Sequence, residues 1–216
     1  MDVQSIYARR FTPDLQFRRE MWKVLCRDFF QKYISPNFHV LEIGAGYCEF
    51  INNIQAKQKT ALDINPDVKN HVAEGVEIAL NSTTKMIDVL DDSVNLVFAS
   101  NLFEHLTREE IVETFREVFR VLAPGGRFLV LQPNIRFCAK DYWMFFDHVT
   151  PIDDRAFVEA LEINGFQVTE VIERFLPYTT KSRLPKSVAL IRIYLRIRFA
   201  WRFFGQQSLI LSQKPK

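Results

Sequence analysis

Val40-Leu41-Glu42-Ile43-Gly44-Ala45-Gly46-Tyr47-Cys48-Glu49-Phe50 is the stretch from which the fold is read. An apolar strand with an acidic residue near its end runs into two glycines, after which the chain turns toward a helix. Such a turn brings bare backbone close to a ligand. A dinucleotide site would need a third glycine at position 49, where the helix passes close to the pyrophosphate. This chain has Glu49, so a phosphate on that helix end would meet a like charge. The turn suits a ligand without a pyrophosphate.

On either side of this stretch, short apolar runs alternate with segments of helical periodicity, the pattern of a largely parallel sheet. Strands are expected at Phe38 to Ile43, Thr60 to Asp63, Val76 to Leu80, Val94 to Ser100, Arg127 to Gln132, Phe166 to Ile172 and Leu209 to Ser212. Helices are expected at Asp14 to Tyr33, at Arg108 to Leu122 before Ala-Pro-Gly-Gly, and at Asp153 to Asn164 before Gly165. The α/β pattern implies a three-layer Rossmann-like sandwich, with ligands beyond the carboxyl ends of the strands.

Composition narrows the class. The 216 residues fit one domain with a full core, and the start of the chain lacks a secretory pattern. Cys26, Cys48 and Cys138 form no Cys-x-x-Cys pair, which fits buried thiols in a cytoplasmic protein. The net charge of +2 hides an asymmetry: residues 181 to 216 hold nine Lys or Arg and no acid, leaving 1 to 180 at 2 − 9 = −7.

Glu42-x-Gly44-x-Gly46 resembles motif I of the class I S-adenosylmethionine-dependent methyltransferases. Asp63 ends the next strand seventeen residues after Gly46. Asp92 to Ser100, Asn101-Leu102-Phe103-Glu104-His105-Leu106 and Val121 to Arg127 resemble the family's later segments in order, so the resemblance covers roughly residues 38 to 133. It implies a seven-stranded, mostly parallel sheet with one antiparallel strand and S-adenosylmethionine as cofactor. It further implies that Glu42 and the backbone of Gly44, Ala45 and Gly46 hold the methionine portion and Asp63 the ribose. Ile64 would flank the adenine, Asn81 or Ser82 would meet its edge, and Asn101 to Leu102 would lie at the sulfonium. Two positions depart from the family pattern. Cys48 stands where many members have a third glycine, and Asn95 where many have aspartate. The chain then divides into a helical lead (1–35), a cofactor-binding core (36–172), a basic helical insert before the last strand (173–205) and that strand with its tail (206–216).

Methyl transfer is an in-line displacement, and a hydroxyl acceptor often needs its proton removed. No metal is required. Of the four histidines, His39 lies within a strand and His71 on a polar segment away from the expected methyl position. His105 follows the fourth strand, where it serves as a base or shapes the pocket. His148, in the aromatic stretch Asp141 to Pro151, is the preferred base, with Asp147 or a carboxylate from elsewhere orienting it. Tyr142 and Trp143 offer stacking faces or core packing. Tyr7 and Arg10 are candidates to close over the cofactor carboxylate.

Residues 186 to 204 read as one helix. On a wheel Arg192, Arg196, Arg198 and Arg202 fall in an arc of about 160°, opposite Leu190, Ile193, Ile197, Ala200, Trp201 and Phe204. The pattern suits a peripheral contact with the inner face of a membrane, Trp201 lying in the boundary. A helix packed on the sheet and a homodimer contact are the alternatives. Nucleic acid is disfavoured by the acidic body. The expected activity is O-methylation of a small-molecule, sugar or lipid-linked acceptor. N- or C-methylation, or a non-catalytic cofactor-binding module acting through its basic insert, are the competing readings.

Overall fold

A computed structural model of the chain describes residues 15–178 and 187–216. In chain order the elements are α1 (Leu15–Asp28), β1 (His39–Ile43), β2 (Gln58–Leu62), β3 (Glu77–Ala79), β4 (Val94–Ser100), α2 (Arg108–Val121) and β5 (Leu122–Pro133). They continue with α3 (Ile135–Tyr142), α4 (Asp154–Ile163), β6 (Gln167–Ile172), α5 (Val188–Arg196), α6 (Arg198–Phe204) and β7 (Gln207–Gln213). Short 3-10 turns occupy Phe30–Tyr33, Pro66–Asn70 and Phe103–His105. One seven-stranded sheet runs in the order β3-β2-β1-β4-β5-β7-β6, with β7 antiparallel to both neighbours. This is the Rossmann-like sandwich expected.

Strand alternation feeds two apolar layers. Val40, Leu96, Phe98, Leu129 and Leu131 point to the face covered by α1, α5 and α6. Leu41, Ile43, Val97, Phe128 and Val130 point to the opposite face, against Phe115 of α2 and Phe157 of α4. Stacked Phe50 and Phe98, 3.7 Å between ring centroids, bind the residues after the glycine turn to the sheet centre.

Five sequence readings need correction. Residues 46 to 53 form successive turns rather than a helix. The cause is backbone sign, since Gly46 (φ 50°) and Cys48 (φ 55°) both lie in the left-handed region, which interrupts helical geometry. β5 starts five residues early, at Leu122, because Ala123 precedes Pro124 and that position favours extended backbone. α3 was not foreseen; Asn134 caps it by accepting from the Arg136 N–H.

The basic segment is two helices broken at Ile197 (φ −101°, ψ 79°), not one. Trp201 is not a boundary residue: it is buried against Phe29 and Phe175, and its indole N–H donates to Tyr194 O at 2.9 Å. Leu195 is buried as well, so α5 and α6 close one face of the sheet. Tyr7, Arg10 and Lys186 lie outside the described residues.

Candidate active site

The site forms where β1, β2 and β4 end. Gly44 has φ 64°, and a Cβ on it would lie 3.0 Å from Leu102 Cδ1, so the first glycine is needed both for its backbone and for the packing of Leu102. Asp63 accepts from the Gly46 N–H at 2.7 Å (Oδ2) and from the Asn65 N–H at 2.8 Å (Oδ1). It latches the glycine turn to the end of β2 and keeps acceptor capacity for further donors. Glu42 is buried and accepts from the Ile51 N–H at 2.9 Å.

Burial pushes the Glu42 carboxyl well up; Glu49 and Asp63 push the same way, against the Ile51 N–H. Burial also raises Asp63, opposed by the backbone donors of Asn65, Gly46 and Ile64. Three carboxylates within one turn are costly unless a cation joins them. Arg18 of α1 answers part of this charge, its Nε donating to Glu49 at 3.2 Å and its Nη2 pairing with the other carboxylate oxygen.

One cleft joins this turn to the acceptor side. It is lined by Glu42, Gly44, Ala45, Gly46 and Asn101, and also by Arg18, Trp22, Glu104, His105, Phe145, His148 and Tyr178. A smaller recess beside it holds Gly46, Tyr47, Asp63 and His71. Asn101 takes φ 50°, a left-handed conformation that asparagine tolerates, and its N–H donates to Leu131 O at 2.9 Å. Ile64 is 70% exposed next to Asp63, an apolar face available to a flat ring.

Asn81 and Ser82 follow β3 beside Asp63, whose N–H donates to Ala79 O at 3.2 Å. Their side chains, however, serve local bonds. The Asn81 amide donates to Asp88 at 2.9 Å, and the Ser82 hydroxyl meets Thr84 at 2.8 Å. Neither lines the cleft among the described residues.

On the acceptor side the structure rearranges the expected pairing. Asp147 reaches the other acceptor-side histidine. It holds His105, whose Nδ1 lies 3.1 Å from the Asp147 carbonyl oxygen and 3.3 Å from its carboxylate. His148 is buried, 4.9 Å from the His105 ring centroid and 4.6 Å from that of Tyr142, with Nε2 3.5 Å from the Tyr178 hydroxyl.

The loop carrying both residues is fastened to the 103–106 turn. Val149 N–H donates to Glu104 O at 2.9 Å, and the Thr150 hydroxyl to Leu106 O at 2.5 Å. Tyr142 is core, donating to Thr150 O at 2.6 Å. Glu104, His105 and His148 each bring one donor atom within 4.8 Å of the others.

Of the remaining candidates, His39 ties strands by contacts to Ser93 O (3.1 Å) and Thr60 Oγ1 (2.9 Å), and His71 pairs with Asp67 at 3.0 Å. Asn95 accepts from the His39 N–H at 2.8 Å, a bond at the start of β1 that an aspartate would make equally well.

The strand order with its single antiparallel member, and a glycine turn latched by an acid from the next strand, define the class I methyltransferase architecture. Residues 41–130 match the family of the methyltransferase domain. A demethylmenaquinone methyltransferase of Symbiobacterium thermophilum is 27% identical over 75% of this chain and 67% of its own length. A ribosomal protein L11 methyltransferase of Geobacillus thermodenitrificans is 28% identical over 49% of this chain, which spans about a third (35%) of that protein. A solved S-adenosylmethionine-dependent methyltransferase from Archaeoglobus fulgidus superposes with a TM-score of 0.70 at 21% identity, covering 94% of this chain and 99% of the other. Residues 41–130 are thus a methyltransferase domain, on the fold of S-adenosylmethionine-dependent methyltransferases, which implies S-adenosylmethionine as the cofactor.

The residues present fit that cofactor. It carries positive charge on its sulfonium and amino group, and the turn offers buried carboxylates together with a glycine cradle that a Cβ would fill. Arg18, Trp22 and Tyr178 line the cleft without having been singled out in the sequence. The amphipathic spacing of α1 gives Arg18 and Trp22 no functional mark, and Tyr178 lies in an irregular segment.

Proposed function

We propose that the chain methylates a hydroxyl group, with His105 as general base oriented by Asp147. The observation that carries this reading is the Asp147 contact to His105 Nδ1, which favours the tautomer with its proton on Nδ1 and leaves Nε2 as the basic nitrogen. The cofactor supplies an electrophilic methyl group and needs no metal for its transfer. Glu42, Asp63 and the backbone of Gly44 to Gly46 bind and orient it, with Asn101 and Leu102 at its reactive end. His148 and Tyr178 form the polar wall against which an acceptor is positioned, and Trp22 and Phe145 exclude water. The acceptor class favoured is a small or lipid-linked alcohol, a sugar hydroxyl included, and the basic residues of 186–204 favour the lipid-linked form through peripheral contact with a membrane.

The test is a screen of hydroxyl acceptors with methyl-labelled cofactor, followed by variants on the best acceptor. His105→Ala is expected to lower kcat by about 100-fold or more with cofactor Kd unchanged. His148→Ala should act chiefly on acceptor KM. A loss of kcat confined to His148→Ala would return the base to that residue, and exclusive methylation of amines would refute O-transfer.

A further inference from the structure

The outward faces of α5 and α6 are unusual for a helix layer that also closes a core. Leu190, Ile193, Ile197, Phe199 (69%), Phe203 and Phe204 are all exposed, interleaved with exposed Arg192, Arg196, Arg198 and Arg202. Arg192 comes within 3.8 Å of Asp28; among the described residues the other three have no acidic partner within ion-pair distance. With Leu195 and Trp201 anchored in the core, this is a fixed platform and not a detachable amphipathic helix.

The platform continues toward the cleft. Arg174 donates to Phe203 O at 3.1 Å and to Gly205 O at 2.9 Å, while its guanidinium lies 4.5 Å from the Phe137 ring of α3. α3 leads into Trp143, Met144 and Phe146 (89%), which are exposed in the same loop that supplies Phe145 and His148 to the cleft. Apolar side chains thus extend from the arginine-bearing helices to the loop at the acceptor side.

We propose that this surface seats on an anionic lipid bilayer and that the acceptor reaches the cleft from that bilayer. Charge complementarity selects this occupant. The described stretch 187–213 carries four exposed arginines and no acidic residue, while residues 1 to 180 sum to −7, so an anionic surface is attracted to these helices more than to the acidic body. Arginines at headgroup level with phenylalanines below them match the interface of such a bilayer. A second copy fits poorly, because a two-fold contact places the same arginines against one another. The bilayer seat stands on its own; the origin of the acceptor rests on the O-methyltransferase reading above.

The test is sedimentation of the whole chain with phosphatidylcholine vesicles with or without phosphatidylglycerol, alongside a cofactor titration of every variant. Binding is expected to require phosphatidylglycerol and to weaken as salt rises. Arg196→Glu with Arg202→Glu should lower it by at least about 30-fold. Phe199→Ser with Phe203→Ser, and Trp143→Ser with Phe146→Ser, should each weaken it at low salt. Unchanged cofactor affinity in each variant separates loss of docking from loss of fold. Failure to bind phosphatidylglycerol vesicles, binding indifferent to all three variant pairs, or self-association abolished by Phe199→Ser with Phe203→Ser would overturn the proposal. Because vesicle binding is read without turnover, its failure leaves the choice of base untouched.

Discussion

Glu42 shows how the free site is poised for its ligand. Its carboxyl is raised by burial, so the folded protein holds that proton more tightly than the unfolded chain does. For a raised acid the sign is adverse at neutral pH: this group's contribution is most favourable below the unfolded value and declines as pH climbs toward the folded one. Glu42→Gln keeps an acceptor for the Ile51 N–H while removing the ionisation, so it should stabilise the cofactor-free protein by on the order of 1 kcal/mol, a Tm rise of roughly 2–4 °C. The same variant should bind S-adenosylmethionine at least about 10-fold more weakly, since a cation loses its counter-charge. A cationic ligand favours ionised Glu42, so its binding should release protons and tighten as pH rises; calorimetry in buffers of different ionisation heat reads this directly, and proton uptake would contradict it. At Asp147, Asn in place of Asp keeps the backbone carbonyl contact to His105 but removes the charge. Turnover should fall about 10- to 100-fold with cofactor affinity intact.

At the scale of the element, the glycine turn and the 101–107 segment bear on one another. Gly44→Ala adds a Cβ 3.0 Å from Leu102 Cδ1 in left-handed backbone, so it should displace Leu102 and abolish measurable cofactor binding while the fold persists by circular dichroism. Thr107 begins α2 with a capping box, accepting from the Glu110 N–H at 3.2 Å while Glu110 accepts from the Thr107 N–H at 2.8 Å. Thr107→Ala should cost about 1 kcal/mol in chemical denaturation, and an unchanged midpoint would show that the cap contributes nothing. Periodicity revealed α2 and α4 in the sequence because each has a capped start and one apolar face. It also revealed helix at α5 and α6 but not which residues face the core, since Ile191, Leu195 and Trp201 turn inward while Leu190, Ile193 and Phe199 turn outward. The break at Ile197 divides one apparent stripe between two helix axes, and nothing in Leu195-Arg196-Ile197-Arg198 marks it. α3 was hidden for a different reason: its aromatic continuation masks an Asn134 cap that the sequence does display.

Across the whole molecule, the seven strands were legible because each is short, apolar and bounded by turn residues, and because Glu42, Gly44, Gly46 and Asp63 fix which strand ends face the ligand. Contacts between distant segments were not legible. The pairing of Asp147 with His105 depends on how the 147–150 loop is fastened to Glu104 and Leu106, and Arg18 reaches Glu49 only once α1 lies over the glycine turn. Local pattern carries no information on such registers. The cofactor cleft is the part of the account on which the rest depends, and calorimetric titration of the intact protein with S-adenosylmethionine and S-adenosylhomocysteine tests it most directly. One site per chain for both ligands, weakened at least about 10-fold in Asp63→Ala, is the expected result. Absence of binding to folded protein, or binding indifferent to Asp63→Ala, would contradict the assignment of this cleft.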